Sequence, residues 1–144
     1  MMTNVQIMIN EGNIVRLVVD KDKKITAAYQ SLRTIPHTLA DCYGHWVEVL
    51  DLSHNMIRDV SELRSLDRIH TLILDHNLLD SSSEFPRLSS LRILWLNHNL
   101  ISDFRLFIPA LAFSCPNLQY LSLMGNTAAP ATYGEESERE QKYR

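Results

Sequence analysis

Val47-Glu-Val-Leu-Asp-Leu-Ser-His-Asn55 returns as Ile69-His-Thr-Leu-Ile-Leu-Asp-His-Asn77 and again as Leu91-Arg-Ile-Leu-Trp-Leu-Asn-His-Asn99. A fourth copy reads Leu118-Gln-Tyr-Leu-Ser-Leu-Met-Gly-Asn126. Asn55, Asn77 and Asn99 fall 22 residues apart, and Asn126 follows after 27. In each copy two leucines lie two positions apart, so on a strand both point to one face. Leu50/Leu52, Leu72/Leu74, Leu94/Leu96 and Leu121/Leu123 then stack as one interior column. A single unit of this size cannot bury its apolar face alone. Stacked neighbours bury it for each other, at roughly 1.5–3 kcal/mol per fully buried Leu or Ile.

Four in-register copies of L-x-x-L-x-L-x-x-N predict an α/β fold of the leucine-rich repeat type. The expected form is a solenoid with a parallel concave β-sheet, short 3₁₀ or helical back arms and an N-terminal β-hairpin cap. The asparagines have a separate role. Where the chain turns after each strand, backbone N–H and C=O groups lose their ladder partners. One amide side chain offers donors and an acceptor together, so Asn55, Asn77, Asn99 and Asn126 are expected to form a structural ladder.

Three parts are expected: a hairpin cap over 1–23, repeats over 24–130, and a charged tail or incomplete C-terminal cap over 131–144. Val5, Ile7 and Ile9 alternate with Gln6 and Met8, Glu11-Gly-Asn13 supplies a turn, and Ile14 to Val19 returns. Such a hairpin would cover the open N-terminal edge of the stack. Residues 25–36 read as a degenerate first repeat, with Ile25 at the place of Leu50, Ala27 at Leu52, Gln30 at Asn55, Leu32 at Ile57 and Ile35 at Val60. A short helix over 37–43, ended by Gly44, comes next, with Trp46 packed under it. Ile57, Val60, Leu63, Leu66 and Ile69 recur every third position, the spacing of 3₁₀ turns. Ser81-Ser-Ser83 interrupts that beat and predicts a looser coil. The fourth return arm is longer and predicts a helix with Phe104, Ile108 and Leu111 facing in. Pro109 would either begin that helix or kink it.

Composition narrows the function. The 144 residues carry a net charge of −3, with a pI near 6.0. That balance gives no basic stripe for direct nucleic-acid binding. Cys42 and Cys115 stand far apart without a CxxC or Cys/His grouping, and are expected to be reduced and partly buried. The N-terminal residues lack a basic n-region and an apolar h-region, and no stretch has transmembrane length. The expectation is a cytoplasmic chain, monomeric on its own, with no cofactor.

Residues between the interior leucines point to the concave face in three columns: Val49/Thr71/Ile93/Tyr120, Asp51/Ile73/Trp95/Ser122 and Ser53/Asp75/Asn97/Met124. Trp95 beside Ile73, Ile93 and Tyr120 is the informative feature, since the repeat core needs no exposed Trp there. Aromatics centred in an exposed patch are typical of interface hot spots. The candidate partner-binding residues are therefore Val49, Asp51, Thr71, Ile73, Asp75, Ile93, Trp95, Asn97 and Tyr120. In the competing reading, the hairpin or the tail folds over them. Asp51 and Asp75 form a carboxylate pair, but no phosphate loop, nucleophile elbow or cofactor fingerprint accompanies them. They read as rim charges that steer a basic partner, and no catalytic residue is assigned. His54, His76 and His98 would stack about 4.8 Å apart, one per strand, a row whose imidazoles would disfavour each other's protonation. A linear row does not offer the tetrahedral convergence of a zinc site, so they read as solvated edge residues and no metal is expected.

Asn126-Thr-Ala-Ala-Pro130, followed by Tyr143-Arg144, is similar to the opening of the cap in intracellular leucine-rich proteins. There, Tyr-Arg starts a helix leading to a last Leu-x-x-Leu-Asp strand. Together with Leu94-Trp-Leu-Asn-His-Asn99, Phe107-Ile-Pro109 and the run from Pro116 to Pro130, it makes residues 25–130 resemble the melanocyte differentiation-associated leucine-rich repeat family. The resemblance implies a non-enzymatic adaptor that engages melanosome-directed Rab GTPases, small GTPases linked to endosomal recycling. It also implies recruitment to endosome or melanosome membranes. The chain departs from that family by ending where the cap and a further tail would continue, so no role of that tail carries over. Phe113-Ser-Cys-Pro-Asn-Leu118 is similar instead to acidic leucine-rich nuclear phosphoproteins, whose long acidic tail is absent. The alternative function is accordingly a nuclear or ribonucleoprotein scaffold.

Overall fold

The computed structural model describes residues 3–127. The expected tail or cap over 131–144 and the Ala-Pro loop before it lie outside the described residues. Seven strands form one sheet in chain order: β1 (Thr3–Asn10), β2 (Asn13–Asp20), β3 (Lys24–Thr26), β4 (Val49–Asp51), β5 (Thr71–Ile73), β6 (Ile93–Trp95) and β7 (Tyr120–Ser122). β1, β2 and β3 are antiparallel, whereas β3 to β7 run parallel. The register sets Ile25, Leu50, Leu72, Leu94 and Leu121 side by side. The first four are fully buried, and Leu121 packs against them partly exposed. The result is an α/β fold of leucine-rich-repeat type.

Only three residues per repeat form strand proper, yet the backbone pairing runs on beyond them. Leu52, Leu74 and Leu96 donate to the carbonyls of Ile73, Trp95 and Ser122, and His54, His76 and His98 donate to those of Asp75, Asn97 and Met124. Each repeat is thus bonded to the next through the start of its turn, which satisfies backbone groups the short strands leave open.

The return arms follow the apolar spacing. Ile57, Val60, Leu63, Leu66 and Ile69 are all buried, and a 3₁₀ helix (Ser61–Ser65) lies among them. The Ser81-Ser-Ser83 arm has no helix, although Leu79, Phe85, Leu88 and Leu91 still reach the core. Helix α1 (His37–Tyr43) ends at Gly44, whose φ of −56° any residue could adopt. Glycine is needed there for space: a Cβ would stand 2.5 Å from the Ala40 carbonyl oxygen and 2.6 Å from that of Ser65.

Helix α2 (Phe104–Ser114) is continuous through Pro109. Asp103 caps it, its carboxylate accepting from the Arg105 and Leu106 N–H groups. Proline removes only one bond, to the carbonyl of Arg105, and both residues are exposed, so water can replace it. The inward face is Phe104, Phe107 and Leu111. Ile108, expected to point in, packs against the core partly buried, with Phe107 beside it more deeply buried.

In the N-terminal hairpin, Glu11 and Gly12 take φ of 53° and 78° at a two-residue turn. Val15 and Leu17 of β2 close the end of the core. The alternating aliphatics of β1 point the other way: Val5, Ile7 and Ile9 are exposed, while Met8 packs against the core. Gln30 explains how the degenerate repeat joins this hairpin. Its side-chain oxygen accepts the Arg16 N–H at 3.0 Å, a reach that the extra methylene of Gln over Asn provides.

Leu72→Ala should lower unfolding free energy by about 2–5 kcal/mol, because it opens a cavity between two repeats that cannot collapse independently. A denaturant midpoint equal to that of the parent chain would contradict this packing.

Candidate functional site

The face of the sheet opposite the core carries the three columns read from the sequence. Pairing of β4 to β7 aligns Val49, Thr71, Ile93 and Tyr120 in one row, and Asp51, Ile73, Trp95 and Ser122 in the next. Tyr120 is exposed, Ser122 is buried and the other six are half-buried. Trp95 and Tyr120 touch with ring centroids 5.2 Å apart at a 48° tilt. The hairpin does not fold over this face. β2 pairs sideways with β3, placing Val18 opposite Thr26, so the same face continues onto the hairpin.

The third column is tied into the backbone of neighbouring repeats. The Asp75 carboxylate accepts the Asn97 N–H at 2.8 Å. The Asn97 side-chain oxygen accepts the Met124 N–H at 2.8 Å and the Ser122 hydroxyl at 2.6 Å. Asp51 accepts the Ser53 N–H within its own repeat. Asp75 and Asn97 therefore stitch successive repeats together on the open face. The available signal was an Asp or Asn recurring directly after L-x-L in two consecutive copies.

On the interior side, the four asparagines bond backbone rather than one another. Asn77 accepts the Ile57 N–H and donates to the carbonyls of Leu52, Leu74 and Asp75. Asn99 repeats this set with Leu79, Leu74, Leu96 and Asn97. Asn126 accepts from Ile101 and donates to Leu96 and Leu123. Asn55 accepts from both Gln30 and Leu32 and donates to Ala27, Leu52 and Ser53. Every one of these amides spans two repeats.

The residue before each asparagine, and before Gln30 in the first repeat, is left-handed. His54, His76 and His98 have φ between 54° and 56°, Tyr29 has 58° and Gly125 has 73°. This conformation brings the side chains into a face-to-face stack: Tyr29 to His54 at 4.2 Å, His54 to His76 at 4.2 Å, and His76 to His98 at 4.4 Å. The row expected from the sequence is present, and His76 and His98 are exposed, as edge residues would be. The stack ends on Gly125, where a Cβ would fall 2.3 Å from the His98 ring. Among the described residues no group of His, Cys, Asp and Glu could hold a metal ion.

Cys115 is buried, and burial pushes its thiol up to about 11, which leaves no reactive thiolate. Cys42, expected to be partly buried, is exposed on the outer side of α1. Phe113 and Leu106 on α2 are exposed as well, and the sequence reading passed over them because their helix was placed by its inward face alone. No described helix is long and apolar enough to cross a membrane.

Stacked repeats with this register and this asparagine pattern define a leucine-rich-repeat-like protein. No family model matches the chain, and no curated protein sequence matches it. Among solved structures it is similar to the LRR ectodomain of the receptor kinase SOBIR1 from Arabidopsis thaliana. The identity is 19% and the TM-score 0.41, over 86% of this chain and 78% of that one.

Asn77→Ala should cost about 1–3 kcal/mol, the penalty for leaving buried backbone groups of two repeats unpaired. Equilibrium denaturation checks it, and an unshifted curve would refute the bridging role. A pH effect follows from the ring stack. His76 titrates below its ordinary 6.5, through partial burial first and then the charges of His54 and His98, with Asp75 pulling weakly upward. An unfolded chain binds that proton near 6.5 and the folded one resists it. The His76 contribution is therefore complete above 6.5 and is lost as pH falls through the lower folded value. His37 works in the opposite sense: its hydrogen bond to Glu62, then Asp41, raise it, so its contribution fades as pH rises. His76→Asn, which tolerates the left-handed backbone, isolates the first effect. Between about pH 8 and pH 5 the variant should lose less stability than the parent chain; parallel losses would show that the stack is electrostatically silent.

Proposed function

We propose that this chain is a non-enzymatic adaptor, a leucine-rich repeat solenoid that grips a protein partner on its concave strand face. One observation carries the reading: Trp95 packs against Tyr120, with Ile93 paired to Tyr120 and Ile73 paired to Trp95, on a face no described element covers. Aromatics packed on one another in this way are pre-ordered, so a partner desolvates them at little cost in side-chain entropy. Asp51 and Asp75 spend carboxylate oxygens on backbone N–H groups, which supports a structural use over acid–base chemistry.

The partner class comes from the sequence resemblance of residues 25–130. It is a Rab-type small GTPase, directed to melanosomes in the family resembled, which would draw the adaptor from the cytoplasm to endosomal or melanosomal membranes. The partner-binding set is Val49, Thr71, Ile73, Ile93, Trp95 and Tyr120. Asp51, Asp75 and Asn97 shape the floor between them.

Pull-down with GTP-loaded and GDP-loaded Rab GTPases tests this reading. Capture should depend on GTP, and Trp95→Ala should weaken it by more than about tenfold, or about 1.4 kcal/mol, with the melting temperature nearly unchanged. Nuclear enrichment without nucleotide dependence would favour the scaffold alternative instead. Loss of folding in Trp95→Ala would show that the tryptophan serves the core.

A further inference from the structure

The outer edge of β1 is the least protected feature of the molecule. β1 is the terminal strand of the sheet, and no described element pairs with its far side. It is eight residues long, whereas β3 to β7 have three each. Proteins ordinarily blunt such an edge with charge, proline, a bulge or brevity. Thr3–Asn10 contains no charged residue and no proline, and its pairing with β2 runs from end to end without a bulge. Behind it the core side is backed by α1, where the Thr38 hydroxyl contacts Met8. The open face is bare: Val5, Ile7 and Ile9 are 52%, 59% and 61% exposed, and Ile14 beside Ile9 is 65% exposed.

The composition of the strand says which occupant fits. Read outward from Ile7, Gln6 mirrors Met8, Val5 mirrors Ile9 and Asn4 mirrors Asn10. An antiparallel neighbour with the same sequence, centred on Ile7, therefore sets Ile7 against Ile7, Val5 against Ile9 and Asn4 against Asn10. Aliphatic meets aliphatic at Val5, Ile7 and Ile9, amide meets amide at Asn4 and Asn10, Gln6 lies opposite Met8, and no like charges oppose each other. The backbone phase agrees. A two-residue turn closes on a hydrogen-bonded pair, here Asn10 and Asn13, so Met8, Gln6 and Asn4 aim their backbone groups at β2. Val5, Ile7 and Ile9 aim theirs at the open edge, and these are the residues a centred copy brings opposite one another. A strand of unrelated sequence would not meet this mirror.

We propose that β1 is a homodimer interface. Two copies pair antiparallel about a two-fold axis at Ile7, joining their sheets into one and removing both open edges. The sequence alone led to a monomer, because the alternating hairpin pattern does not reveal that the aliphatics of β1 face away from the core. Pairing leaves the Trp95–Tyr120 region of each copy free, so the dimer would present two partner surfaces on one continuous sheet face.

Analytical ultracentrifugation of the full chain, without any GTPase, tests this independently of the proposed function. The native chain should double in mass as concentration rises. Ile7→Lys, which places two ammonium groups on the axis, should stay monomeric and melt as the native chain does at concentrations where that too is monomeric, since Ile7 is exposed. In a Cys42→Ser background, Ile7→Cys should form a covalent dimer under mild oxidation, because hydrogen-bonded cross-strand pairs sit about 5.5 Å apart between Cα atoms. Val5→Cys should not, as its counterpart lies across from Ile9. A native chain that is monomeric throughout, a dimer that survives Ile7→Lys, or equal cross-linking of the two cysteine variants would each overturn the proposal.

Discussion

The amide of one asparagine per repeat is the constraint on which the rest of the structure depends. Leucines alone would collapse, but they would not specify where one repeat ends and the next begins. Asn77 reaches back to the Leu52 carbonyl and the Ile57 N–H while holding the Leu74 carbonyl of its own turn. Those groups are buried, and leaving them unpaired would cost about 1–3 kcal/mol each. Each repeat is therefore locked one turn at a time, and the hydrophobic column inherits its register from that lock.

Two further consequences come from the same turn. Its geometry forces the preceding residue into the left-handed region, which three histidines, a tyrosine and a glycine occupy. Because the positions are equivalent, their side chains superpose and the rings stack face to face. The bond between Asp75 and Asn97, and that between Asn97 and Met124, hold the opposite face in the same way. The open face that carries Trp95, Tyr120 and Ile73 is consequently braced from repeat to repeat.

The N-terminal end of the repeat stack has a chemistry of its own. At the N-terminal end, β2 closes the core with Val15 and Leu17 and is tied on by Gln30. This moves the open edge outward to β1, which carries no charge to repel a neighbour. An edge displaced in this manner is still an edge, and its backbone groups remain available for pairing.

Much of this was legible in the repeats. Ile25 pairs opposite Leu50 as the degenerate copy implied, and the every-third spacing from Ile57 to Ile69 marks buried residues around a 3₁₀ helix. Periodicity and amide chemistry are local, so residue spacing by itself determined the strand phase, the inward leucines and the asparagine turns. Tertiary structure alone decided the rest. Which face of the hairpin meets the core depends on how β2 docks on β3, so alternation could not tell Val5 and Ile7 from Met8. Phe107, more deeply buried than Ile108, meets the Phe85 ring edge-on at 6.3 Å, a contact between two return arms that the helix pattern alone does not contain. Tyr29 joins the histidine row, and Asp75 becomes a brace, only when equivalent residues of successive repeats are brought together. Contacts between residues some 22 positions apart in the chain are set by packing geometry, which no single copy of the motif contains.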